Sequence, residues 1–225
     1  MTRAFTLGTL VTRCRQRANQ ATNDLLDPNE WKALVSEYYG DMHALIVEKG
    51  ARYFETEATI TGNGSASFAL PTDHLTTIGV DALISGTTGP RRPVYGPIAV
   101  QERARLMGTS GAAIYFGLEG ANLALFPVPS SGTYKHLYVP QPADLSLQAD
   151  SFSVDLINIY GERFVIWGVA SVALHKEAAS QARAMVEHDK AMAQLEYWAC
   201  LRALNQPSYR VQDEDDGMTF PLVYG

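Results

Sequence analysis

Several features that mark large classes of protein are scarce in this sequence. Its 225 residues include only two cysteines, Cys14 and Cys200, which lie far apart and form no Cys-x-x-Cys pair. This spacing does not fit a tetrahedral zinc site, so we expect two buried free thiols. The longest apolar run, residues 164–174, is too short for a bilayer-spanning helix, which needs about 20 residues. It predicts a buried helix, and we expect no membrane partner.

Excess positive charge and the common catalytic fingerprints are also missing. The formal net charge of -6 argues against a protein whose main task is to coat nucleic acid. No phosphate-binding loop, His-Glu-x-x-His helix or Gly-x-Ser-x-Gly elbow occurs. We therefore expect no enzyme, cofactor or metal, although dispersed carboxylates leave no local signature. Because Arg13, Arg15 and Arg17 interrupt the apolar stretch that a secretory signal needs, we expect no such signal.

Helical signals stand near both ends of the chain. Thr6 is a suitable cap for a first helix, in which apolar residues recur at helical spacing. Asp27 as N-cap, followed by Pro28 and Glu30, predicts a second helix from Pro28 to about residue 49. Helical character returns after about residue 155, with a central helix around residues 164–174.

The last predicted helix covers residues 181–205, with Ser180 as its cap. Two flanks of this helix are apolar, which predicts contacts on two sides. One flank consists of Met185, Met192, Leu195 and Trp198, and the other consists of Val186, Tyr197, Leu201 and Leu204.

Between the helical blocks the hydrophobic period changes from 3.6 to two, which is typical of strands. Strands are predicted over residues 52–61, 65–70, 76–84, 113–116, 122–126 and 133–139, with a short helix within 97–106. The Asn63-Gly64 turn between the first two runs predicts a β-hairpin, because both residues tolerate positive φ.

The predicted fold class is α+β, with an antiparallel β sandwich or barrel-like lobe inserted into a helical bundle. Residues 1–50 and 151–206 are expected to form one helical domain, and residues 51–150 the inserted lobe. Residues 207–225 are expected to form an extended acidic tail, because this segment is too short and polar to form a hydrophobic core of its own.

Isolated polar residues are interpreted as structural. The five histidines are scattered, and His188, between Glu187 and Asp189 on a helix, is interpreted as solvated. Asp73 is interpreted as a turn residue rather than a catalytic carboxylate. Asn63-Gly64-Ser65 fits a glycosylation acceptor, but a turn explains it better without a secretory signal.

The tail and the first helix suggest an interaction surface. The arginines Arg13 and Arg17 stand four residues apart, and the tail carries four consecutive acidic residues before an apolar end. We hypothesise that the tail of one subunit engages basic surface on a neighbour or partner, and that its apolar end fixes it by burial. The tail residues concerned are Asp213, Glu214, Asp215, Asp216, Phe220, Leu222 and Tyr224.

Two short motifs, and the order of the segments around them, resemble a known family. Ala69-Leu70-Pro71-Thr72-Asp73-His74-Leu75 is similar to a family strand that ends in Leu-Pro-x-Asp-Phe-Leu, with His74 in place of the aromatic residue. Leu123-Ala124-Leu125-Phe126-Pro127-Val128-Pro129 is similar to the family's Leu-x-Leu-x-Pro-x-Pro strand. The chain thus resembles the head-to-tail adaptors, or connectors, of tailed bacteriophages, which include the tail tubular protein A type.

This resemblance implies a structural virion protein. Family members form a ring of identical subunits, typically twelve, docked beneath the portal, with tail or nozzle proteins as further partners. Packaged DNA would pass through the channel without specific binding, and the protein would lie at the head-tail junction after assembly in the host cytoplasm. The resemblance implies no catalytic residues, no cofactor and no membrane.

Two alternatives stay open at the level of sequence. One is a peptidoglycan-cleaving adaptor, which would need paired carboxylates across a cleft, one of them with a raised pKa. The other is a cytoplasmic binding module with a pocket in the β lobe.

Overall fold

The computed structural model describes residues 4–19, 26–50, 52–84, 86, 89–106, 108–176 and 181–204. The described helices are α1 (Leu7–Arg17), α2 (Pro28–Glu48), α3 (Val100–Leu106), α4 (Ile159–Lys176) and α5 (Ala182–Leu204). The described strands are β1 (Ala4–Thr6), β2 (Thr56–Thr61), β3 (Ser67–Ala69), β4 (His74–Leu83), β5 (Arg91–Val94), β6 (Tyr115–Glu119), β7 (Asn122–Phe126), β8 (Thr133–Pro140) and β9 (Ser153–Asp155).

The chain divides into two compact units. The helical unit is formed by Met1–Phe54 and Gln141–Gln206, and the β unit is described over Glu55–Pro140. Helices and antiparallel sheets occur in the same chain, which confirms the α+β class.

Side-chain caps start the first two helices where the sequence predicts. Thr6 accepts a hydrogen bond from the Thr9 amide at 3.3 Å, which satisfies one of the free donors at the start of α1. At α2, Asp27 accepts from the Glu30 amide at 3.2 Å, and the Glu30 carboxylate accepts from the Asp27 amide at 3.1 Å. This reciprocal pair is a complete capping box, with Pro28 at the first helical position.

Helix α4 lies at the centre of the helical unit and contacts α1, α2 and α5. It is buried on several faces, as its apolar run predicts. Two glycines allow its neighbours to come close: the Tyr38 ring of α2 lies directly on Gly168, and the Leu156 carbonyl lies on Gly161. A side chain at either glycine would overlap these groups. Strand β1 pairs with β9 beside this core, with Phe5 opposite Val154.

The β unit contains two antiparallel sheets. The four-stranded sheet has the order β2-β8-β4-β5, and the three-stranded sheet has the order β3-β7-β6. Apolar side chains from both sheets form its core, including Ile60, Val80, Phe116, Leu123 and Tyr134. The Arg103 side chain fastens α3 to this structure, because it donates to the carbonyls of Ile98 and Leu118 and binds Glu119 at 3.0 Å.

The predicted hairpin at Asn63-Gly64 is wrong, although the turn is present. Gly64 has a φ of +84°, and Asn63 accepts a hydrogen bond from the Ser65 amide at 3.0 Å. The strands on its two sides join different sheets, since β2 pairs with β8 and β3 pairs with β7. A Cβ atom on Gly62 would lie 2.6 Å from the Ser131 carbonyl oxygen, so the chain passes close to a second loop here. The Asn-Gly turn thus determines where the chain bends, but it does not determine which strands pair with each other.

Other differences are smaller. The predicted strand over residues 52–61 begins only at Thr56, because Arg52–Phe54 form a 3₁₀ turn. Strand β6 lies two residues later than predicted, and β5, β1 and β9 were not predicted. Cys14 is buried, whereas Cys200 is exposed, so the expectation of two buried thiols is half wrong. Ser180, the predicted cap of α5, lies outside the described residues.

Candidate interaction surfaces

Arg13 is engaged within the helical unit. Its guanidinium donates a hydrogen bond to the carboxylate of Glu162 in the first turn of α4 and lies 4.2 Å from the centre of the Phe5 ring. Glu162 is buried, and a buried carboxylate is stable in its charged form only when it is paired. Arg13 thus holds α1 against α4, which reduces its availability for an outside partner.

Arg17 makes a similar contact one helical turn later. Its guanidinium lies 5.2 Å from the centre of the Trp167 ring of α4, within the range of a cation–π interaction. The tail residues predicted to interact, Asp213, Glu214, Asp215, Asp216, Phe220, Leu222 and Tyr224, lie outside the described residues. The interaction role of all these residues stays a prediction.

Helix α5 packs on the rest of the helical unit through one face that consists mostly of alanine. Ala184, Ala191, Leu195 and Ala199 are buried, and Trp198 beside them is half buried. Arg202 lies 5.0 Å from the Tyr53 ring and 5.7 Å from the Trp198 ring, which covers the end of this face. One of the two apolar flanks predicted for this helix therefore meets the core, although Met185 and Met192 on the same flank are exposed.

The opposite side of α5 carries a stripe of exposed side chains, which we call the outer stripe. Its residues follow a seven-residue repeat with alternate steps of three and four, so they share one face of the helix. They are Arg183, Val186, Lys190, Ala193, Tyr197, Cys200 and Leu204, with Leu201 at their edge. Tyr197 is 66% exposed, Leu204 is 81% exposed and Leu201 stands between them, so together they form an exposed apolar patch rather than a single exposed side chain.

The outer stripe changes character along its length. Arg183 and Lys190 make its N-terminal half basic, whereas Tyr197, Leu201 and Leu204 make its C-terminal half apolar. Lys190 binds Glu187 at 2.9 Å, and both side chains are substantially exposed. Exposed pairs of this kind contribute less than about 1 kcal/mol, so Lys190 can exchange partners at little cost.

In the β unit, aromatic and polar side chains of β4 and β8 form a cluster. The rings of His74, His136 and Tyr138 stack on one another, with centres 5.2 to 5.8 Å apart. The Thr77 hydroxyl lies 2.9 Å from Nε2 of His74 and 3.0 Å from Nε2 of His136. The hydroxyl has one proton, so it donates to one ring and accepts from the other. We call these four side chains the histidine cluster.

Burial and charge act together on the histidine cluster. Burial, with a smaller contribution from the His74 charge, lowers the pKa of His136 to about 4. Burial also lowers the pKa of His74, while the Asp73 carboxylate opposes that shift. Asp73 accepts a hydrogen bond from the Tyr138 hydroxyl at 3.1 Å, so it supports the cluster as a structural group. Sequence reasoning missed this cluster because β4 and β8 bring together residues about sixty positions apart.

The other histidines also make structural contacts. His43 stacks on Phe54 with ring centres 4.2 Å apart, and burial lowers its pKa. The interpretation of His188 as solvated is wrong: its ring packs against Tyr38 and Phe164, and burial lowers its pKa. Its position on α5 faces the core, and the Asp189 carboxylate lies 3.8 Å from its Nδ1.

Two carboxylates on the four-stranded sheet share one arginine. Arg91 binds both oxygens of Glu57, at 2.5 and 3.2 Å, and its guanidinium lies 3.8 Å from Asp81. The hydrogen bond from Arg91 lowers the pKa of Glu57. A glycosidase needs the reverse for its general acid, so this pair gives the peptidoglycan-cleaving alternative no support.

The described residues hold neither a cluster that could bind a metal ion nor a helix that could span a membrane. They contain no group of three or more histidine, cysteine, aspartate or glutamate side chains placed to hold a metal ion. None of the helices within the described ranges is both long and apolar enough to cross a membrane.

Comparison with known proteins identifies a family. The model of the family described as SU10 adaptor protein matches residues 5–218, which is nearly the whole chain. No curated protein matches the sequence. The family match confirms the resemblance to phage head-to-tail adaptors. The narrower likeness to the tail tubular protein A type stays a prediction.

Proposed function

Because the chain belongs to the SU10 adaptor protein family, we propose that it forms a ring of identical subunits between the portal and the tail of a bacteriophage. An adaptor of this family has a structural role in the phage particle and interacts with portal and tail components. We propose twelve copies in the ring and a position at the head-tail junction, reached after assembly in the host cytoplasm.

The observation that carries the ring is the exposed outer stripe of α5. A closed ring of identical subunits uses heterologous interfaces, so each subunit needs two different complementary faces. One side of α5 packs on its own unit and is covered, so the outer stripe, with its large exposed apolar side chains, offers one of these two faces. An exposed apolar face on a packed helix is typical of a surface that another protein covers.

The tail is proposed to strengthen the assembly. Its acidic run, Asp213 to Asp216, supplies charge for basic surface on a neighbour, and Phe220, Leu222 and Tyr224 supply apolar area for burial. Packaged DNA is proposed to pass through the ring without specific binding. The net charge of -6 is consistent with this, because bound phosphates need basic partners.

Purification of the protein alone and with its cognate portal ring, followed by electron microscopy, tests the proposal. We expect a ring of adaptor density at one end of the portal, in every portal particle at excess adaptor. A truncation that ends at residue 212 serves as the matched variant, because it leaves all described residues intact. We expect it to fold normally and to bind the portal more weakly. A folded full-length chain that leaves the portal bare would overturn the proposal.

A further inference from the structure

The outer stripe has two halves, and the tail has two halves of complementary chemistry. We propose that the tail of one subunit binds along the outer stripe of the neighbouring subunit, parallel to α5. In this arrangement the acidic run lies beside Arg183 and Lys190, and the apolar end lies on Tyr197, Leu201 and Leu204. This inference rests on the proposed ring, since it requires a second copy of the chain.

The distance between the centres of the two halves is similar in the tail and in the outer stripe. The basic and apolar halves of the stripe are centred about fourteen residues apart, which is about 21 Å along a helix. The acidic run and the apolar end of the tail are centred between seven and eight residues apart, which is about 25 Å in extended chain. Both contacts can therefore form at once when the tail is extended and runs in the same direction as α5.

The same spacing argues against binding of the tail to the α5 helix of its own chain. The tail begins directly after Leu204, at the apolar end of the stripe, so it would have to run back along its own α5. The acidic run then reaches Arg183 and Lys190 after about 35 Å of extended chain, but the apolar end continues past the first residue of the helix. Only on the outer stripe of another subunit can the acidic run contact the basic half while the apolar end contacts the apolar half.

The tail is long enough to lie along the whole outer stripe of another copy. The 21 residues after Leu204 span at most about 70 Å when fully extended, which exceeds the roughly 35 Å length of α5. Burial of Tyr197, Leu201 and Leu204 would remove the largest exposed apolar side chains of the stripe from water. Lys190 would exchange Glu187 for the acidic run, an exchange between two weak exposed pairs.

A disulfide cross-link tests this arrangement with a thiol that the chain already has. Cys200 is exposed and lies on the outer stripe between Tyr197 and Leu204, whereas Cys14 is buried with a raised pKa and does not compete. The variant Leu222→Cys places a second thiol in the apolar end of the tail. After mild oxidation of the full-length protein, alone and bound to portal, we expect a ladder of covalent multimers on non-reducing gels.

Matched variants make the result specific. Cys200→Ser in the Leu222→Cys background should abolish the ladder. In a second variant the thiol is moved to the other exposed flank of α5, with Met185→Cys and Cys200→Ser. The yield of covalent multimers should fall by at least about tenfold, because only neighbouring thiols form a disulfide efficiently. Arg183→Glu with Lys190→Glu should slow the cross-link by about tenfold at low salt, since both attractive pairs become repulsive.

The other outcomes overturn the inference in distinguishable ways. A fast-migrating monomer would show that the tail binds its own helix. Dimers formed by the unsubstituted protein through Cys200 alone would show that two α5 helices face each other. A ring on the portal without any ladder would overturn the tail arrangement and leave the adaptor role intact, whereas a bare portal would overturn the adaptor role itself.

Discussion

The two units of this protein differ in how they bury polar groups. In the helical unit, the buried His43 and the partly buried His188 stand apart from each other, and each lies against aromatic rings. In the β unit, His74 and His136 share a single hydroxyl, so a charge on either ring acts directly on the other. The difference suggests that the helical unit depends mainly on close packing, whereas the β unit is the more sensitive to acid.

The largest effect should come from filling the closest contact in the helical unit. Gly168→Ala places a Cβ 2.3 Å from a ring carbon of Tyr38, so we expect a loss of about 3 kcal/mol in the free energy of unfolding. Gly40→Ala in α2 is the matched control, because nothing lies within 4 Å of its added Cβ. It should stabilise the protein by up to about 1 kcal/mol. Urea unfolding followed by tryptophan fluorescence measures both, since Trp31, Trp167 and Trp198 all lie in the helical unit. Similar losses in both variants would contradict the close packing of α2 on α4.

Acid should act first on the β unit. Unfolded His136 takes up a proton near pH 6.5, whereas the pKa of folded His136 is about 4, so the unfolded state binds more protons between these values. The contribution of this group to stability is complete above pH 6.5 and falls by up to about 3 kcal/mol as the pH approaches 4. Hydrogen exchange measured by mass spectrometry at pH 7 and pH 4.5, corrected for intrinsic rates, should show β4 and β8 opening before α4.

The variant His136→Gln keeps a polar group beside Thr77 but removes the titration. We expect the acid sensitivity of β4 and β8 to decrease in this variant, while the helical unit responds as before. If the two units lose protection together in the unsubstituted protein and in the variant, the histidine cluster is not the cause.

A smaller effect should follow from disturbing Arg103 in the β unit. A Cβ on Gly117 would lie 2.9 Å from the Arg103 guanidinium, so Gly117→Ala must displace this side chain from β6. We expect a loss of about 1 to 2 kcal/mol, mainly from its hydrogen bonds to Leu118 and Glu119. Gly79→Ala on β4, with open space around its Cβ, is the control. Thermal unfolding of both variants measures the difference, and equal melting temperatures would contradict a structural role for Arg103.

The smallest effect belongs to the contact between Arg17 and Trp167. Arg17→Ala should cost about 0.5 to 1 kcal/mol, the usual value of a partly exposed cation–π contact. Arg17→Lys should restore part of this stability, because it retains the positive charge. Tryptophan emission offers a direct readout, and an unchanged spectrum in Arg17→Ala would indicate that the contact is absent in solution.

The sequence predicts the helical unit better than the β unit for a physical reason. The starts of α1 and α2 depend on caps within three residues of Thr6 and Asp27, so they are visible locally. Strands β4, β7 and β8 were predicted nearly at their bounds, but the partner of β2 lies over seventy residues away on β8. The Asn63-Gly64 turn has the chemistry of a hairpin, and only the packing of the two sheets separates its strands.

At the candidate surfaces, too, contacts between residues far apart in sequence are not visible in the sequence alone. The apolar residues of the outer stripe were visible as a helical flank, because Val186, Tyr197 and Leu204 share a face at fixed spacing. The engagement of Arg13 by Glu162 was not visible, since 149 positions separate the two residues. For the same reason the shared hydroxyl between His74 and His136 could be recognised only in the folded chain.

Native mass spectrometry of the portal mixed with excess adaptor tests the proposed role most directly. Each adaptor subunit has a mass of 24.6 kDa, so the number of bound copies can be read from the mass of the complex. We predict one dominant species that carries twelve adaptor subunits on each portal ring. A portal ring whose mass stays unchanged in the presence of folded, full-length adaptor would contradict the account.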